Sequence, residues 1–328
     1  MKHINVSLFV PHLGCPNACI FCNQKTISGK CGALTKEEIL SAVNTAIKGN
    51  HDINNSEIAF FGGSFTAIEE SLMINYLETV KPFIGTHFKG IRISTRPDCI
   101  DENKLALLKK YGVTSIELGA QSMCEEVLIK NERGHTPEDT EKAAELIKKA
   151  GFSLGLQMMT GLFSSDSEKD IYTAKKFVEM KPDTVRIYPT AVLQGTALEK
   201  LYERGEYTPP TLSEAVELCS KLLRLFNENG IRVIRLGLHS GGNVEEGFVA
   251  GVYHPAFREL VEAEIYKDKI EEKLEGLPDG EYTLSVCSRD LSKAGGHKKS
   301  NILYFGEKGK KIRLVPDDNT AQYDVLII

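Results

Sequence analysis

The sequence predicts an α/β protein, a (β/α)6 partial TIM-type barrel with a small C-terminal α+β appendage. Three observations lead there. Short runs rich in β-branched and aromatic residues alternate with stretches of helical periodicity, one helix between each strand and the next, as in parallel βα units. Six such units fit between Val6 and Pro189. The glycine-rich and polar motifs in that stretch fall at the C-terminal ends of strands, where barrels keep their reactive groups. With 328 residues the chain can form one large domain plus an appendage, or two domains. The expected division is 1–238 for the barrel and 239–328 for the appendage.

The first strand is the apolar run Val6-Ser7-Leu8-Phe9-Val10. Behind it, Cys15-Pro16-Asn17-Ala18-Cys19-Ile20-Phe21-Cys22 sets three thiols at C-x3-C-x2-C spacing. A closed zinc site needs four ligands and a ferredoxin cluster takes four thiolates, yet no fourth cysteine stands at a usual spacing. Three thiolates hold three irons of a cubane cluster and leave the fourth open to a chelating amine and carboxylate. The plainer readings are three unconnected buried cysteines, or a zinc loop completed by His12 or Cys31.

Thr35 with Glu38 three residues on is a capping box that opens a helix running to about Lys48-Gly49. Glu57 to Phe61 is a buried strand ending in Gly62-Gly63-Ser64-Phe65. Paired glycines let backbone approach a ligand, and they also make ordinary turns. A helix from about Ile68 to Phe83 precedes the period-two strand from Gly90, stopped by Pro97. Asp101 to Lys110 is the next helix, and Val113 to Gly119 the next strand, leading into Ala120-Gln121-Ser122. His135 reads as a cap or buttress for a helix opening at Thr136-Pro137-Glu138, since proline suits the first turn. Gly151-Phe152 leads into a strand bearing Gln157, whose plain role is a buried amide bonded to backbone. A helix near Ser167 to Met180 and the strand from Asp183 to Pro189 complete the six units. Tyr188 ends that strand as a ligand contact or an aromatic plug. A helix from Leu212 to Asn229 leads to an edge strand, Ile231 to Leu238, bearing arginines.

Beyond Leu238 the character changes. A glycine-rich loop, His239 to Asn243, comes before a helix that opens at His254-Pro255 and reaches about Leu274. Strands follow at Tyr282–Val286, Lys311–Val315 and Tyr323–Ile327. Between them Arg289, Lys293, His297, Lys298 and Lys299 gather around Gly295-Gly296, a basic loop that is either a solvated surface or a phosphate holder. Cys31, Cys99, Cys124, Cys219 and Cys287 read as ordinary buried thiols.

Acidic residues number 45 against 40 basic, a net charge of −5, which gives no global reason for nucleic-acid binding. Eight cysteines with no signal peptide, apolar spanning run or lipidation motif point to a reducing, cytoplasmic setting without membrane partners. No internal repeat is visible.

The C-x3-C-x-aromatic-C pattern, with Phe21 before the last cysteine, resembles the signature of radical S-adenosylmethionine (SAM) enzymes. The run Glu117-Leu118-Gly119 with Gln121-Ser122, then Arg133-Gly134-His135, Gly151-Phe152 and Gln157 to Leu162, resembles a series shared by the Elongator catalytic subunit and the oxygen-independent coproporphyrinogen oxidases. Arg186 to Leu198, with Leu201-Tyr202 and Gly205-Glu206-Tyr207, is very close to the Elongator subunit's radical domain. The resemblance covers roughly residues 5 to 240. It implies the partial-barrel fold, a 4Fe-4S cluster on Cys15, Cys19 and Cys22, and SAM chelated at the open iron. It further implies cleavage of SAM to a 5'-deoxyadenosyl radical with electrons from a flavodoxin- or ferredoxin-type donor. Gly62, Gly63, Ser64, Gln121, Arg133 and Gln157 would then lie around SAM, and arginine suits a carboxylate.

Two departures stand out. Ser64 and Ser94 occupy positions where many relatives carry acids, although Gly-Gly-Ser/Thr-Phe is the Elongator family's own variant. The residues after Leu238 are too few for that family's acetyltransferase domain. The expected function is therefore a radical SAM enzyme without that domain, acting on RNA, and on tRNA by resemblance. Its rivals are a small-molecule enzyme of coproporphyrinogen-oxidase type, a non-catalytic iron–sulfur module that docks on RNA, and a zinc-stabilised structural protein. A methylthiotransferase would need an extra N-terminal cluster domain.

Overall fold

A computed structural model describes residues 5–10, 15, 18–23, 32–49, 56–238 and 245–328. The barrel half runs β1 (Val6–Val10), α1 (Lys36–Lys48), β2 (Glu57–Gly62), α2 (Glu70–Val80), β3 (Gly90–Thr95), α3 (Glu102–Lys110) and β4 (Val113–Gln121). It continues with α4 (Glu125–Lys130), α5 (Pro137–Lys149), β5 (Ser153–Thr160), α6 (Ser167–Met180) and β6 (Thr184–Pro189). After β7 (Ala191–Leu193) and α7 (Ala197–Glu203), α8 (Leu212–Glu228) returns the chain to β8 (Arg232–Leu236). The sheet order is β1-β2-β3-β4-β5-β6-β8, and every neighbouring pair is parallel. The six expected units are thus present as a partial barrel, with the arginine-bearing β8 as its seventh strand and far edge.

Local chemistry accounts for the helix starts. Thr35 and Glu38 form the capping box of α1, Asp101 caps α3, Thr136 and Asp139 box α5 behind Pro137, Asp166 caps α6, and Thr211 with Glu214 boxes α8. Each such cap contributes about 1 kcal/mol. The strands have two unlike faces. Ile58, Phe60, Ile91, Ile93, Ile116, Leu118, Leu154, Leu156, Val185 and Ile187 are buried under the helices. The alternate residues point into the barrel, and many of them are polar. Arg92 stands between Glu57 and Glu117, at 2.7 and 2.9 Å, and Arg186 lies 2.7 Å from Glu117. Glycine makes the room: a Cβ on Gly155 of β5 would sit 2.7 Å from Glu117 Cγ, so only glycine lets this carboxylate reach across from β4 toward β6. Buried ion pairs add little net stability, because desolvation offsets the attraction. Their effect here is to fix which polar groups line the barrel.

The C-terminal portion holds β9 (Phe248–Gly251), α9 (Phe257–Leu274), β10 (Gly280–Cys287), α10 (Leu291–Gly295), α11 (Ser300–Glu307), β11 (Lys310–Asp317) and β12 (Val325–Ile327). β10 is the middle strand of a sheet ordered β11-β10-β12, parallel to β11 and antiparallel to β12. Tyr266, Ile270, Leu274, Leu284, Val286, Phe305 and Val325 form a second apolar core. Helix α9 serves both cores, since Phe257, Val261 and Ile265 pack into the main one.

Two sequence expectations change. The segment read as a basic loop, Arg289 to Lys299, contains α10 and leads straight into α11, because buried Ala294 and Phe305 dock on the second core. Such short helices depend on tertiary packing and leave no readable period. The antiparallel ribbon of β7 with β9 was also not foreseen; strands of three and four residues show no alternation. The glycine-rich segment His239 to Asn243 and the zinc candidates His12 and Cys31 lie outside the described residues. Among the described residues no helix is long and apolar enough to cross a membrane.

Candidate functional site

Cys15, Cys19 and Cys22 are half-buried cysteines, none of them in a disulfide, on the segment that leaves β1. Their seat is built by residues far along the chain. Ile20 is buried against Val192, Leu198 and Tyr207, with Phe21 and Phe163 at the edge. Leu198 N–H donates to the Ile20 carbonyl at 2.8 Å, Ile20 N–H to the Asn131 carbonyl at 3.3 Å, and the Asn23 side-chain amide to the Gln194 carbonyl at 2.6 Å. Asn131, itself fully buried, donates from Nδ2 to the Val127 and Phe163 carbonyls at 2.7 and 2.9 Å. The β7–α7 segment is thus the platform on which the cysteine segment rests.

Arg133 joins that segment to the strand ends. Its Nη1 donates to Cys19 Sγ at 3.1 Å and its Nη2 to the Gly119 carbonyl at 2.6 Å. Beside it, Gln157 Nε2 donates to Gln121 Oε1 at 3.2 Å. A register shift near the end of β4 opposes Gln121 to Met158, and Gln121 takes a left-handed backbone with φ 66°. A bulge of this kind re-aims a side chain beside a site. A Cβ on Gly119 would lie 3.0 Å from Gln121 Nε2 and 3.6 Å from Arg133 Nη2, so glycine there leaves space for both. Cys19, Arg133, Gln121 and Gln157 therefore meet around the ends of β4 and β5.

Gly62, Gly63 and Ser64 stand at the neighbouring end of β2. Gly62 has φ +109°, and a Cβ would fall 2.6 Å from both the Phe9 ring and the Val10 carbonyl. Gly63 N–H donates to that carbonyl at 2.8 Å. The glycine pair thus brings β2 tight against β1, where the cysteine segment departs. Ser64 is buried, with its hydroxyl 2.8 Å from Thr95 Oγ1 and accepting from Arg96 N–H at 3.2 Å. It ties β2 to β3. Ser94 faces the barrel, 3.5 Å from Glu117.

Electrostatics single out Arg96, which the sequence reading passed over. Burial works against its charge, but Asp98, bonded to Nε and Nη2 at 2.9 Å each, and the Cys19 sulfur outweigh it and raise its pKa. Its signal was the opposite-charge pair in Arg96-Pro97-Asp98, directly after a strand. Gly119, Asn131 and Ile20 were likewise not singled out, because their roles depend on partners remote in sequence. His135 is neutral: burial, then the Arg133 and Arg96 cations, push its pKa down to about 4. Its Nε2 lies 3.2 Å from the Ala120 carbonyl, so it buttresses the end of β4, while the helix it was expected to cap is capped by Thr136 and Asp139. Burial pushes the thiols of Cys99 and Cys124 up, and that of Cys219 to about 12. They stay protonated.

Deeper in the barrel, burial alone would raise Glu57, but Arg92 and the Ser115 and Thr114 hydroxyls hold it below the usual carboxylate range. Arg186 also stacks on the Phe61 ring at 4.8 Å and donates weakly to Tyr188 Oη at 3.4 Å. Arg235 on β8 aligns with Arg186 on β6, so both face the barrel. Among the described residues no three His, Cys, Asp or Glu side chains converge on one point as a single metal ion requires.

Residues 9–176 match the Radical SAM superfamily, and residues 182–267 match the Radical_SAM C-terminal domain. A tRNA uridine(34) acetyltransferase from Methanocaldococcus jannaschii is 34% identical over 200 residues, covering 53% of this chain and 36% of the relative. Human Elongator complex protein 3 is 30% identical over 196 residues, again 53% of this chain and 36% of the relative. The chain spans about a third of the length of these curated relatives. Among solved structures, an N-terminally truncated Elp3 from Methanocaldococcus infernus superposes with a TM-score of 0.64 at 24% identity, over 83% of this chain and 64% of that one. Methylornithine synthase superposes at 0.53 and 20% identity, over 70% of this chain and 64% of that one. At such identities the likeness is one of fold.

Proposed function

The chain belongs to the Radical SAM superfamily, and from that premise we propose that it holds a 4Fe-4S cluster on Cys15, Cys19 and Cys22 and cleaves SAM to act on RNA, tRNA in the first instance. The observation that carries this reading is the contact of Arg133 with Cys19 Sγ beside the Gln121–Gln157 pair. The donor set fits the cofactor. Cys15, Cys19 and Cys22 leave one strand end together, and a cluster takes one thiolate on each of three irons. Arg133 and Arg96 beside Cys19 offset the negative charge of thiolates and sulfides. When bound, the cluster supplies the electron that cleaves SAM to a 5'-deoxyadenosyl radical.

The chain's own residues then position and shield. The guanidinium of Arg133 suits the carboxylate of SAM, the amides of Gln121 and Gln157 suit ribose hydroxyls, and Gly62, Gly63 and Ser64 at the end of β2 would hold its amino group. Ile20 and Phe21, seated on the β7–α7 platform, keep water from one side of the cysteine segment. An external reductant of flavodoxin or ferredoxin type, a cytoplasmic setting, and a division of the chain at 238/239 belong to the same proposal.

Two things support an anionic, RNA-type substrate. The relatives that match are named for tRNA uridine chemistry or for Elongator. In addition, the barrel wall carries a surplus cation above its lower rim, where exposed Arg232 aligns with Thr184. Glu57 and Glu117 are offset by Arg92 and Arg186, while Arg235 bonds to the Gly237 and Leu238 carbonyls and pairs with no carboxylate among the described residues. Burial, together with the Arg186 and Arg258 charges, lowers its pKa despite an opposing contribution from Tyr188. A bound anion would relieve that cost.

The test uses protein reconstituted without oxygen. The readouts are iron and sulfide content, then 5'-deoxyadenosine formed from SAM after reduction, with and without tRNA and with Cys19→Ala as control. About four irons and cleavage by the wild type alone support the proposal. A cluster without cleavage across several reductants would overturn the enzymatic reading in favour of a binding module. Stoichiometric zinc without iron would overturn both.

A further inference from the structure

We infer that the loop Gly296–Lys299 between α10 and α11 is a docking site for the sugar-phosphate backbone of a single-stranded RNA segment. The inference deepens the proposed RNA substrate and rests on that reading for its link to turnover, though not for binding itself.

The loop joins two short helices set between the parallel strands β10 and β11, and its shape is held from inside. Gly296 has φ 79° and ψ 160°, a region open essentially to glycine alone. A Cβ there would fall 2.3 Å from Ser300 Oγ and 2.8 Å from Asn301 N. Buried Asn301 donates from Nδ2 to the Ala294 and Ala263 carbonyls at 3.1 and 2.8 Å, tying the loop to α10 and α9. Lys299 N–H closes the turn on the Gly296 carbonyl at 2.9 Å.

The loop also sorts its charges. Lys293 turns inward to Glu262 and Asp290, at 3.0 and 2.8 Å. His297 lies 4.0 Å from Glu259 and edge-on to His254. Lys298, Lys299 and Arg289 are exposed and pair with no carboxylate among the described residues. Lys298 (φ 52°, ψ 32°) and Lys299 (φ 65°, ψ 26°) both take left-handed backbone, at a cost of roughly 1–2 kcal/mol each for a side chain other than glycine. Glycine or asparagine would relieve that cost in a mere connector. A glycine-led loop that clamps the backbone of a few nucleotides is the device of KH modules, which carry G-x-x-G. Here Gly295-Gly296-His297-Lys298 puts a cation, in left-handed backbone, at the fourth position. Next to the loop, Leu212, Val216, Leu260 and Ala263 make most of a largely apolar groove that ends at Ser300 and Asn301 and also carries Ser213 and Glu264, the latter paired with Lys267; its apolar part suits the flat face of a base. Three outward cations are too few for a membrane surface, which takes clusters of about 4–8.

The test measures fluorescence anisotropy of the full chain with a labelled single-stranded RNA and with tRNA, across about 50–200 mM salt. The Lys298→Ala/Lys299→Ala double variant should bind about tenfold more weakly near 0.15 M salt. Its log–log salt slope should fall by about 1.4, at about 0.7 for each phosphate of a single strand that is no longer neutralised. Lys298→Arg/Lys299→Arg should retain binding, and Lys311→Ala, at an exposed position of β11, should not alter it; circular dichroism confirms folding. A wild-type slope in the double variant, no RNA affinity in the wild type, or binding to anionic vesicles in place of RNA would each overturn the inference. SAM cleavage without RNA should be equal in wild type and double variant. If the wild type cleaves SAM while the slope ignores the lysines, this inference alone falls. If RNA binding maps to the loop and SAM is not cleaved, the enzymatic reading falls and the docking site stands.

Discussion

Replacing Glu117 by glutamine tests whether the charges inside the barrel act as one unit. The Glu117 side chain is 4% exposed. It accepts from Arg92 Nη1 at 2.9 Å and Arg186 Nη2 at 3.0 Å, with Arg186 Nε 2.7 Å from its other oxygen. Glutamine keeps the length but loses the charge and turns an N–H2 toward one guanidinium. Arg92 still has Glu57 at 2.7 Å. Arg186 is left with the Phe61 ring and a 3.4 Å contact to Tyr188. Removing one partner of a buried pair costs about 3–5 kcal/mol, mostly the desolvation of the stranded charge. The lower end applies here, since the amide still accepts one bond. The assay is urea denaturation of the protein, read as a fall in midpoint at unchanged slope. With Arg186→Met already in place, Glu117→Gln should cost less by about 1–3 kcal/mol, the coupling expected of residues in one network. A loss under about 1 kcal/mol, or strict additivity, would refute the account of a coupled network.

Further outcomes are expected from the same structure. Arg133→Leu removes the donors to Cys19 Sγ and Gly119 O; at about 1.5–3 kcal/mol for a hydrogen bond involving a charge, SAM affinity of the reconstituted protein should fall on the order of tenfold to a hundredfold by equilibrium dialysis. Unchanged affinity would remove Arg133 from the proposed SAM site. His135 has a folded pKa of about 4 against 6.5, so the unfolded chain binds the extra proton between those values and stability rises with pH through that window. Asp170, raised to about 6 by burial despite its bonds to Ser165 and Gly161, works in the opposite sense over part of the range, so the informative quantity is the gap between wild type and His135→Gln. That gap should shrink by about 2 kcal/mol from pH 7.5 to pH 5, measured by urea denaturation, and a gap independent of pH would contradict the burial argument. Arg235→Gln should raise KM for an RNA substrate with kcat little changed, because uniform binding is what it removes; a loss confined to kcat would count against an anion-holding role.

Much of the framework was legible because it rests on local physics. The alternation of strand and helix, the Thr35–Glu38 capping box, and the spacing of Cys15, Cys19 and Cys22 each depend on neighbours within a few residues. Gln121, Arg133 and Gln157 were marked from sequence, and the structure gathers them near Cys19. Ser64 was marked as well, and its hydroxyl is engaged with Thr95 and Arg96. Arg96 and Asn131 went unmarked, since an arginine after a strand or an asparagine after a helix is commonplace until its partner is known.

Local sequence was enough for the parallel α/β architecture, the helix starts and the three-thiol segment, because backbone periodicity, capping and turn chemistry are set within one or two turns of chain. The assembled fold was needed to choose which face of each strand turns toward the barrel's charges and to show that Gly155 makes room for Glu117. It was needed also to bring Arg133 to Cys19, and to turn Lys293 inward while Lys298 and Lys299 turn out. Those are contacts between residues tens of positions apart, or choices between identical side chains five residues apart. The electrostatic cost of burying each charge selects among them only once the fold has brought the partners together.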